Sequence, residues 1–192
     1  TAIVEHPALD AVRDGVRDEL KAQGYTPGDN LAFTYKTAQG NPAIASQIAR
    51  QFAGQDHDVI VPISTPSAQA VLSATDNVPV VFSAVTDPVA ARLVEDPANP
   101  KGRVTGVSDL SPVKRQLELI REVMPEAETV GVIYNPGEAN SVKILDLLKQ
   151  HGPEFDLKIV ESVAPKSSGV LSAARNLVGK ADAVYIPTDN TI

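Results

Sequence analysis

The chain has 192 residues, of which 43% are hydrophobic, so it holds enough apolar material for one sizeable core or two smaller ones. Its formal net charge is −7 and no Lys/Arg cluster stands out, which argues against nucleic acid or an anionic membrane surface as a partner. It has no cysteine, which excludes disulfides, thiolate catalysis and cysteine-ligated zinc, and no apolar run approaches the length of a membrane span.

Strands and helices are predicted to alternate through the first half of the chain. Apolar residues at helical spacing, such as Leu9, Val12, Val16 and Leu20, mark helices, and short apolar runs mark strands. In chain order the pattern predicts a strand over 1–4, a helix over 8–22, a strand over 31–35, a helix over 42–52, a strand over 59–61, a helix from about residue 67, a strand over 78–82, a short helical segment over 89–94 and an extended piece over 104–107.

The second half repeats this alternation. It predicts a helix over 111–123, a strand over 129–134, a helix over 139–150, a strand over 155–160, a helix over 167–178 and a strand over 182–186. Such alternation is typical of parallel sheets with helices on both faces. We therefore expect an α/β protein of two doubly wound, Rossmann-like lobes, residues 1–107 and 108–192. Because the pattern stops at Ile192 where a new helix should begin, the second lobe is expected to be incomplete.

Two segments of the first half of the chain are similar in sequence to two segments of the second half. Ile3-Val4-Glu5-His6-Pro7 precedes a helix as Ile133-Tyr134-Asn135-Pro136-Gly137 does, and Asp58-Val59-Ile60-Val61-Pro62 matches Asp182-Ala183-Val184-Tyr185-Ile186-Pro187. Each segment is a strand followed by a turn that contains proline. Ligands of open α/β sheets bind beyond the carboxyl ends of the strands, so two such lobes facing each other would form a cleft lined by these turns.

The turns expected at this cleft carry hydroxyl, amide and carboxylate side chains. Hydroxyl groups and helix starts suit a ligand carboxylate, and the N–H groups near Ser67 and Ala68 are its expected contacts. The carboxylates of Glu5, Asp87 and Asp189 suit an ammonium group. The turns therefore predict a site for a small zwitterion, with polar side chains from Glu5, His6, Ser64, Thr65, Ser67, Thr86, Asp87, Asn135, Glu138, Asn140, Ser141, Thr188, Asp189 and Asn190.

Several of these turns also have a simpler structural explanation. Thr65 could be the N-cap of a helix whose first residue is Pro66, with nothing bound there. Asp87 could cap the short segment after it, and Asn135-Pro136-Gly137 could be only a turn.

Catalytic, metal and cofactor sites find little support in the sequence. A catalytic triad would have to be assembled from Ser67, His6 and Asp87, without a G-x-S-x-G elbow or an oxyanion loop. The three histidines are dispersed, with no H-x-x-x-H spacing that suits a metal. No glycine-rich nucleotide-binding fingerprint follows a strand. We therefore predict that the chain is not an enzyme and binds neither a metal nor a cofactor.

Six segments, taken in order, resemble the substrate-binding proteins of bacterial ABC importers of the tryptophan/tyrosine type. They run along essentially the whole chain and are VEHPALDAVRDG, TPSAQA, VVFSAVTDPVAARLV, VTGVSDLSPVKRQLELI, GVIYNPGEANS and YIPTDNT. The resemblance implies a type I periplasmic-binding-protein fold that closes on a small ligand, such as an aromatic amino acid. It also implies a periplasmic or extracellular protein, often lipid-anchored, that delivers its ligand to a membrane permease and ATPase; a monomer is expected.

The same resemblance implies which residues line the ligand site. Glu5-His6-Pro7, Ser64-Thr65-Pro66-Ser67 and Thr86-Asp87 would line the side of the first lobe. Asn135, Glu138-Ala139-Asn140-Ser141 and Asp189-Asn190 would line the side of the second. The alternative is a ligand-sensing effector domain of a transcription factor or sensor kinase, because such regulators share the fold.

Overall fold

A computed structural model describes all residues from 1 to 192. The chain forms two compact units, Thr1–Asp109 and Leu110–Ile192, and the division lies close to the one predicted after Val107. Each unit combines α-helices with parallel β-strands, so the predicted α/β class is confirmed. No helix combines the length and the apolar character needed to cross a membrane.

The first unit contains three helices and a two-stranded parallel sheet. Asn41 caps the second helix by accepting hydrogen bonds from the N–H groups of Ala43 and Ile44, which satisfies donors that the first turn leaves open. The elements are α1 (Pro7–Ala22), α2 (Pro42–Ala53), α3 (Thr65–Ala74), β1 (Val80–Val85) and β2 (Val104–Ser108).

Three predicted strands of this unit do not form continuous ladders. Ala2 pairs in parallel with both Thr37 and Ile63, but these are single bridges. The segment over 59–61 and its neighbour Ile63 likewise meet β1 at single positions, and the predicted strand over 31–35 has only a local bridge at Leu31. A strand requires several consecutive pairs, and these segments meet at too few positions. The bridges nevertheless place the segment at Ala2 beside the one at 60–63, which lies next to β1.

The predicted helical segment over 89–94 is a series of turns. Ala91 N–H donates to Asp87 O four residues back, Arg92 N–H donates to Val89 O three back, and Leu93 N–H donates to Pro88 O five back. A helix needs one repeated spacing. Arg92 also has φ 59°, which breaks a right-handed helix at that residue.

The helices of the first unit differ in how deeply they pack. From α2 and α3, residues such as Ile48, Phe52 and Val71 enter a core with Ile60 and Val80. Helix α1, by contrast, buries none of its residues, and the predicted stripe of Leu9, Val12, Val16 and Leu20 is only partly covered. A cavity of about 120 Å³ lies beside α1, lined by side chains such as Val16, Leu20, Phe33, Phe52 and Val59.

The second unit contains three helices and a parallel sheet in which β3 (Thr129–Tyr134) is the central strand, between β4 (Lys158–Val163) and β5 (Ala183–Tyr185). Pairing runs continuously from Thr129 opposite Lys158 to Tyr134 opposite Val163, and Val130 lies opposite Ala183 on the other side. The sheet order is β4-β3-β5. The elements are α4 (Val113–Val123), β3 (Thr129–Tyr134), α5 (Ala139–His151), β4 (Lys158–Val163), α6 (Val170–Leu177) and β5 (Ala183–Tyr185).

Two elements of this unit begin later than predicted. Strand β4 starts at Lys158 because Gly152–Phe155 forms a 3₁₀ turn, which ends at Asp156 in the left-handed region. Helix α6 starts at Val170 because Ser167–Gly169 forms another 3₁₀ turn. In both cases a short turn occupies the start of the predicted element, which periodicity alone cannot detect.

Helices cover both faces of the second sheet. Val130 and Val132 of β3 pack with residues of α4 and α5, such as Leu117 and Ile144, all of them 0% exposed. Neighbouring Ile133 points the other way and packs with residues of α6. Helix α6 packs closely against Gly131, because a Cβ at this position would lie only 2.7 Å from Leu177 Cδ1. The core therefore sits directly behind the carboxyl ends of the strands, which support the turns described next.

Candidate functional site

The start of α3 carries three buried hydroxyl side chains, which we call the hydroxyl turn (residues 64–67). Ser64, Thr65 and Ser67 are each 2% exposed. Ser64 N–H donates to Ser83 O at 2.9 Å, and Ile63 is bridged to Ser83, so the turn follows a segment that lies against β1. The hydroxyl turn is therefore at the carboxyl end of that segment, where α/β proteins bind ligands.

The backbone of the hydroxyl turn is strained at Ser64. This residue has φ 86° and ψ 154°, a region that is essentially restricted to glycine and costs on the order of 1–3 kcal/mol for other residues. Ser64 is the N-cap residue, Thr65 is the first helical residue and Pro66 the second. The simpler explanation, in which Thr65 is the N-cap, is therefore wrong by one residue.

Several polar groups of the hydroxyl turn lack protein partners. No side chain caps α3, and Thr65 Oγ1 is buried without a hydrogen bond. Ser64 Oγ donates to Ser67 Oγ at a long 3.4 Å. Ala68 N–H, expected as a carboxylate contact, already donates to Ser64 O at 3.0 Å, and Ala68 itself is 0% exposed in the core. The N-terminal end of α3 thus keeps an uncompensated positive dipole end beside an unbonded hydroxyl.

Thr86 and Asp87 directly follow β1. Thr86 is 2% exposed, and its carbonyl oxygen accepts a hydrogen bond from Ser108 Oγ at 2.9 Å. Asp87 Oδ1 accepts from the N–H groups of Val89 and Ala90, at 3.0 and 2.9 Å. Asp87 therefore does cap the segment after it, and this oxygen is committed to that role.

Glu5, His6 and Pro7 stand at the start of α1 and are exposed. His6 Nδ1 accepts a hydrogen bond from Ala8 N–H at 3.2 Å, so its imidazole caps α1, and Pro7 is the first helical residue. The lone pair of Nδ1 is used in this cap, which gives His6 a structural role at the helix start.

In the second unit, an acid network joins the turn after β3 to the turn after β5. It consists of Asp189, Glu138 and the groups that donate to them. Asp189 Oδ2 accepts from Asn135 N–H at 2.7 Å and from Ser141 Oγ at 2.5 Å. Asp189 Oδ1 accepts from the N–H groups of Thr191 and Ile192, at 2.7 and 3.3 Å.

Glu138 is the buried acid of this network, at 8% exposed. Its Oε2 accepts from Asn140 Nδ2 at 2.9 Å and from the side-chain and backbone nitrogens of Asn190, at 2.6 and 3.2 Å. Its Oε1 accepts from Thr191 Oγ1 at 2.9 Å. The burial of this carboxylate is compensated by four hydrogen bonds, as a buried charge requires.

Asn140 and Ser141 lie in the first turn of α5 and are 4% and 0% exposed. Asn140 Nδ2 donates to Glu138 Oε2 and also to Thr188 O at 2.8 Å, while its Oδ1 is buried without a donor. Neither side chain caps α5. The structure thus brings the predicted residues of the second unit, Asn135, Glu138, Asn140, Ser141, Asp189 and Asn190, into one cluster.

Sequence reasoning missed Thr191, which links the two turns. Its Oγ1 accepts from Asn135 Nδ2 at 2.8 Å and donates to Glu138 Oε1. The available signal was its place in the same Pro-Thr-Asp-Asn-Thr turn as Asp189. No group of three His, Asp or Glu side chains lies close enough together to hold a metal ion.

Parallel sheets whose carboxyl ends carry polar turns define the class of α/β ligand-binding proteins. Over residues 1–192 the sequence matches the family model described as ABC transporter substrate binding protein, and the chain belongs to that family. The predicted resemblance is therefore confirmed. Members of this family are solute-binding proteins and not enzymes, in agreement with the prediction for this chain.

Three individual proteins that are similar to this chain support the family assignment. The chain is 41% identical over 99% of its length to the tyrosine-binding protein of Clostridioides difficile (strain R20291). It is similar to the crystal structure of a conserved domain protein from Vibrio cholerae, with 56% identity and a TM-score of 0.93 over 96% of this chain. It is also similar to an ABC domain from Streptococcus pneumoniae in complex with L-Trp, with 34% identity and a TM-score of 0.94 over 100% of this chain.

The chain spans only part of the length of these relatives. It covers 55% of the tyrosine-binding protein and 62% and 65% of the two solved chains. The fold is that of the type I periplasmic-binding proteins, as the resemblance predicted.

Proposed function

We propose that the chain belongs to the solute-capturing component of an ABC importer and binds an amino acid, with aromatic amino acids as the first candidates. Family membership supports the transport role. The tyrosine-binding relative and the neighbour in complex with L-Trp support the ligand class. A regulatory effector domain, the alternative, receives no support from these relatives.

The observation that carries the proposal is the hydroxyl turn at the start of α3. An uncapped helix N-terminus favours an anion, and the unbonded hydroxyl of Thr65 adds a donor in a buried position. We assign the ligand carboxylate to Thr65 Oγ1 and to the backbone N–H of Ser67. Ala68 is omitted from the contacts, because its N–H is already bonded within the first turn.

The remaining predicted residues complete the proposed site. Thr86 and the exposed turn of Glu5, His6 and Pro7 contribute from the first unit. The turns after β3 and β5 contribute from the second. Proteins of the type I fold close on the ligand by a hinge motion, without covalent chemistry.

A ligand panel on the full-length protein tests the proposal. Thermal shifts are measured with the twenty amino acids and with common sugars, followed by calorimetric titration of those that bind. We expect aromatic amino acids to raise the melting temperature, because a ligand that binds only the folded state stabilises it. Stabilisation by sugars and by no amino acid would contradict the amino-acid assignment.

A variant pair tests the carboxylate contact. Thr65→Val removes the unbonded hydroxyl without changing the side-chain shape, and we expect affinity for the amino acid to fall about tenfold. The matched control is Ser73→Ala on the same helix, whose hydroxyl donates to Gln69 O and faces solvent. Equal affinities of Thr65→Val and Ser73→Ala would remove Thr65 from the site.

Proteins of this family act outside the cytoplasm and pass ligand to a membrane permease. We propose the same location and partner for the protein that carries this chain, with a lipid anchor and a monomeric state. Fractionation of cells that express the full-length protein tests the location, and light scattering of the purified protein tests the monomer.

A further inference from the structure

The carboxylate of Asp189 has no acceptor position left for a ligand, and that of Glu138 also accepts four hydrogen bonds, three at Oε2 and one at Oε1. Asp189 accepts from Asn135 N–H, Ser141 Oγ, Thr191 N–H and Ile192 N–H. Glu138 accepts from Asn140 Nδ2, both nitrogens of Asn190 and Thr191 Oγ1. A carboxylate offers about four lone-pair positions. An ammonium group could therefore bind Asp189 only by displacing a donor that the fold already supplies.

The donors come from both turns, so the acids connect them. Through Asp189, the turn after β5 holds Asn135 and Ser141, which flank the start of α5. Through Glu138, the start of α5 holds Asn190 and Thr191 in return. The two acids thus fix the geometry of both turns by reciprocal bonds.

One buried oxygen of the cluster accepts no hydrogen bond at all, and it belongs to a neutral side chain. Asn140 Oδ1 is buried and has no donor. The amide cannot turn over to present its nitrogen there, because Nδ2 donates to Glu138 Oε2 and Thr188 O. A buried acceptor without a donor is costly, and native proteins keep few of them.

We propose that Asp189 and Glu138 are positioning residues, and that the donor group of the ligand, its ammonium nitrogen, is bound on this side by Asn140 Oδ1. This rests on the proposed function, namely that the ligand is an amino acid. It replaces the expectation from sequence that Asp189 itself pairs with the ammonium group. The ammonium group of the ligand is then recognised by the amide oxygen of Asn140 and not by a carboxylate. The orientation of this amide is fixed by its hydrogen bond to Glu138.

The test compares L-tryptophan with its des-amino analogue 3-(indol-3-yl)propionate on the full-length protein. Affinities are measured by calorimetry for wild type, Asp189→Asn, Asn140→Ala and the control Asp146→Asn, an exposed position on α5. We expect Asp189→Asn to weaken both compounds by the same factor and to lower the melting temperature relative to the control. Asn140→Ala should weaken L-tryptophan about fivefold more than the analogue.

A crystal structure of the wild-type complex with L-tryptophan decides the case if the analogue binds too weakly to measure. The proposal is supported if the ligand nitrogen lies within hydrogen-bonding distance of Asn140 Oδ1. It is overturned if that nitrogen contacts Asp189 or Glu138, or if Asp189→Asn affects L-tryptophan alone. If wild type binds no amino acid, the proposed function fails instead. The positioning role is then still tested by the melting temperature of Asp189→Asn, and a value equal to the control would overturn it.

Discussion

The two units have polar turns after segments of similar sequence. The polar side chains of these turns differ in whether they are hydrogen-bonded within the protein. In the hydroxyl turn of the first unit, Thr65 Oγ1 has no partner and no side chain caps α3. In the acid network of the second, Asp189 and Glu138 each accept four hydrogen bonds. A polar residue at a predicted site is therefore available to a ligand only where the local fold leaves it unbonded.

The helices that follow the echoed turns differ in the same way. Helix α5 buries Asn140, Ser141, Ile144, Leu145 and Leu148, whereas α1 buries nothing and borders a cavity. Both helices have apolar residues at helical spacing, so the periodicity predicts both equally well. Burial depends on what packs against the helix, which the period does not encode.

The largest expected effect tests the difference in burial between α5 and α1. Leu148→Ala in α5 removes a side chain that is 0% exposed, and we expect it to lower the free energy of unfolding by about 2–5 kcal/mol. Leu20→Ala in α1 makes the same chemical change at a partly covered position and should cost about 1 kcal/mol or less. Urea denaturation followed by circular dichroism measures both. Equal losses would show that α1 is as firmly packed as α5.

The next effect concerns the buried acid of the second unit. Glu138→Gln replaces one acceptor oxygen by a donor that must face Asn140, Asn190 or Thr191, all of which already donate. We expect a loss of about 1–3 kcal/mol in unfolding free energy. Glu126→Gln, at an exposed position, is the control and should be near neutral. A Glu138→Gln protein as stable as this control would mean that the network does not need the carboxylate.

Removal of one hydroxyl group is expected to change the free energy of unfolding by a smaller amount, with opposite signs in the two units. Ser141→Ala removes a bond to Asp189 and should destabilise the protein by about 1 kcal/mol. Thr65→Val removes a buried hydroxyl that has no partner, and should be neutral or stabilise by up to about 1 kcal/mol. Thermal and urea unfolding of both variants without ligand are the measurements. Destabilisation by Thr65→Val would show that its hydroxyl is bonded within the protein.

The sequence predicted the element order well where apolar patterns were strong and uninterrupted. Strand β3 is predicted to the residue, and α5 ends one residue beyond its prediction. Prediction failed where the outcome depends on backbone geometry, as at Arg92, where a left-handed residue ends the expected helix, and at Gly152–Phe155, where a 3₁₀ turn delays β4. Within the site, residue types identified Asp189 and Glu138, but only the structure shows that each already accepts four hydrogen bonds from the protein.

The smallest expected effect concerns the pH dependence of the melting temperature. It compares Asp182 with Asp58, which occupies the matching position in the similar segment of the first unit. Asp182 Oδ2 accepts hydrogen bonds from the N–H groups of Glu128 and Thr129, both at 2.9 Å, and these bonds hold its pKa below the usual value. Asp58, at the matching position of the first unit, makes no such bond. A carboxyl whose pKa is lowered in the folded state contributes stability above its unfolded pKa, about 3.9, and loses that contribution as the pH falls through the folded value. We therefore expect Asp182→Asn to flatten the decline of the melting temperature below about pH 4, relative to wild type. Asp58→Asn is the matched control, and identical acid profiles for the two variants would contradict a role for the Asp182 bonds.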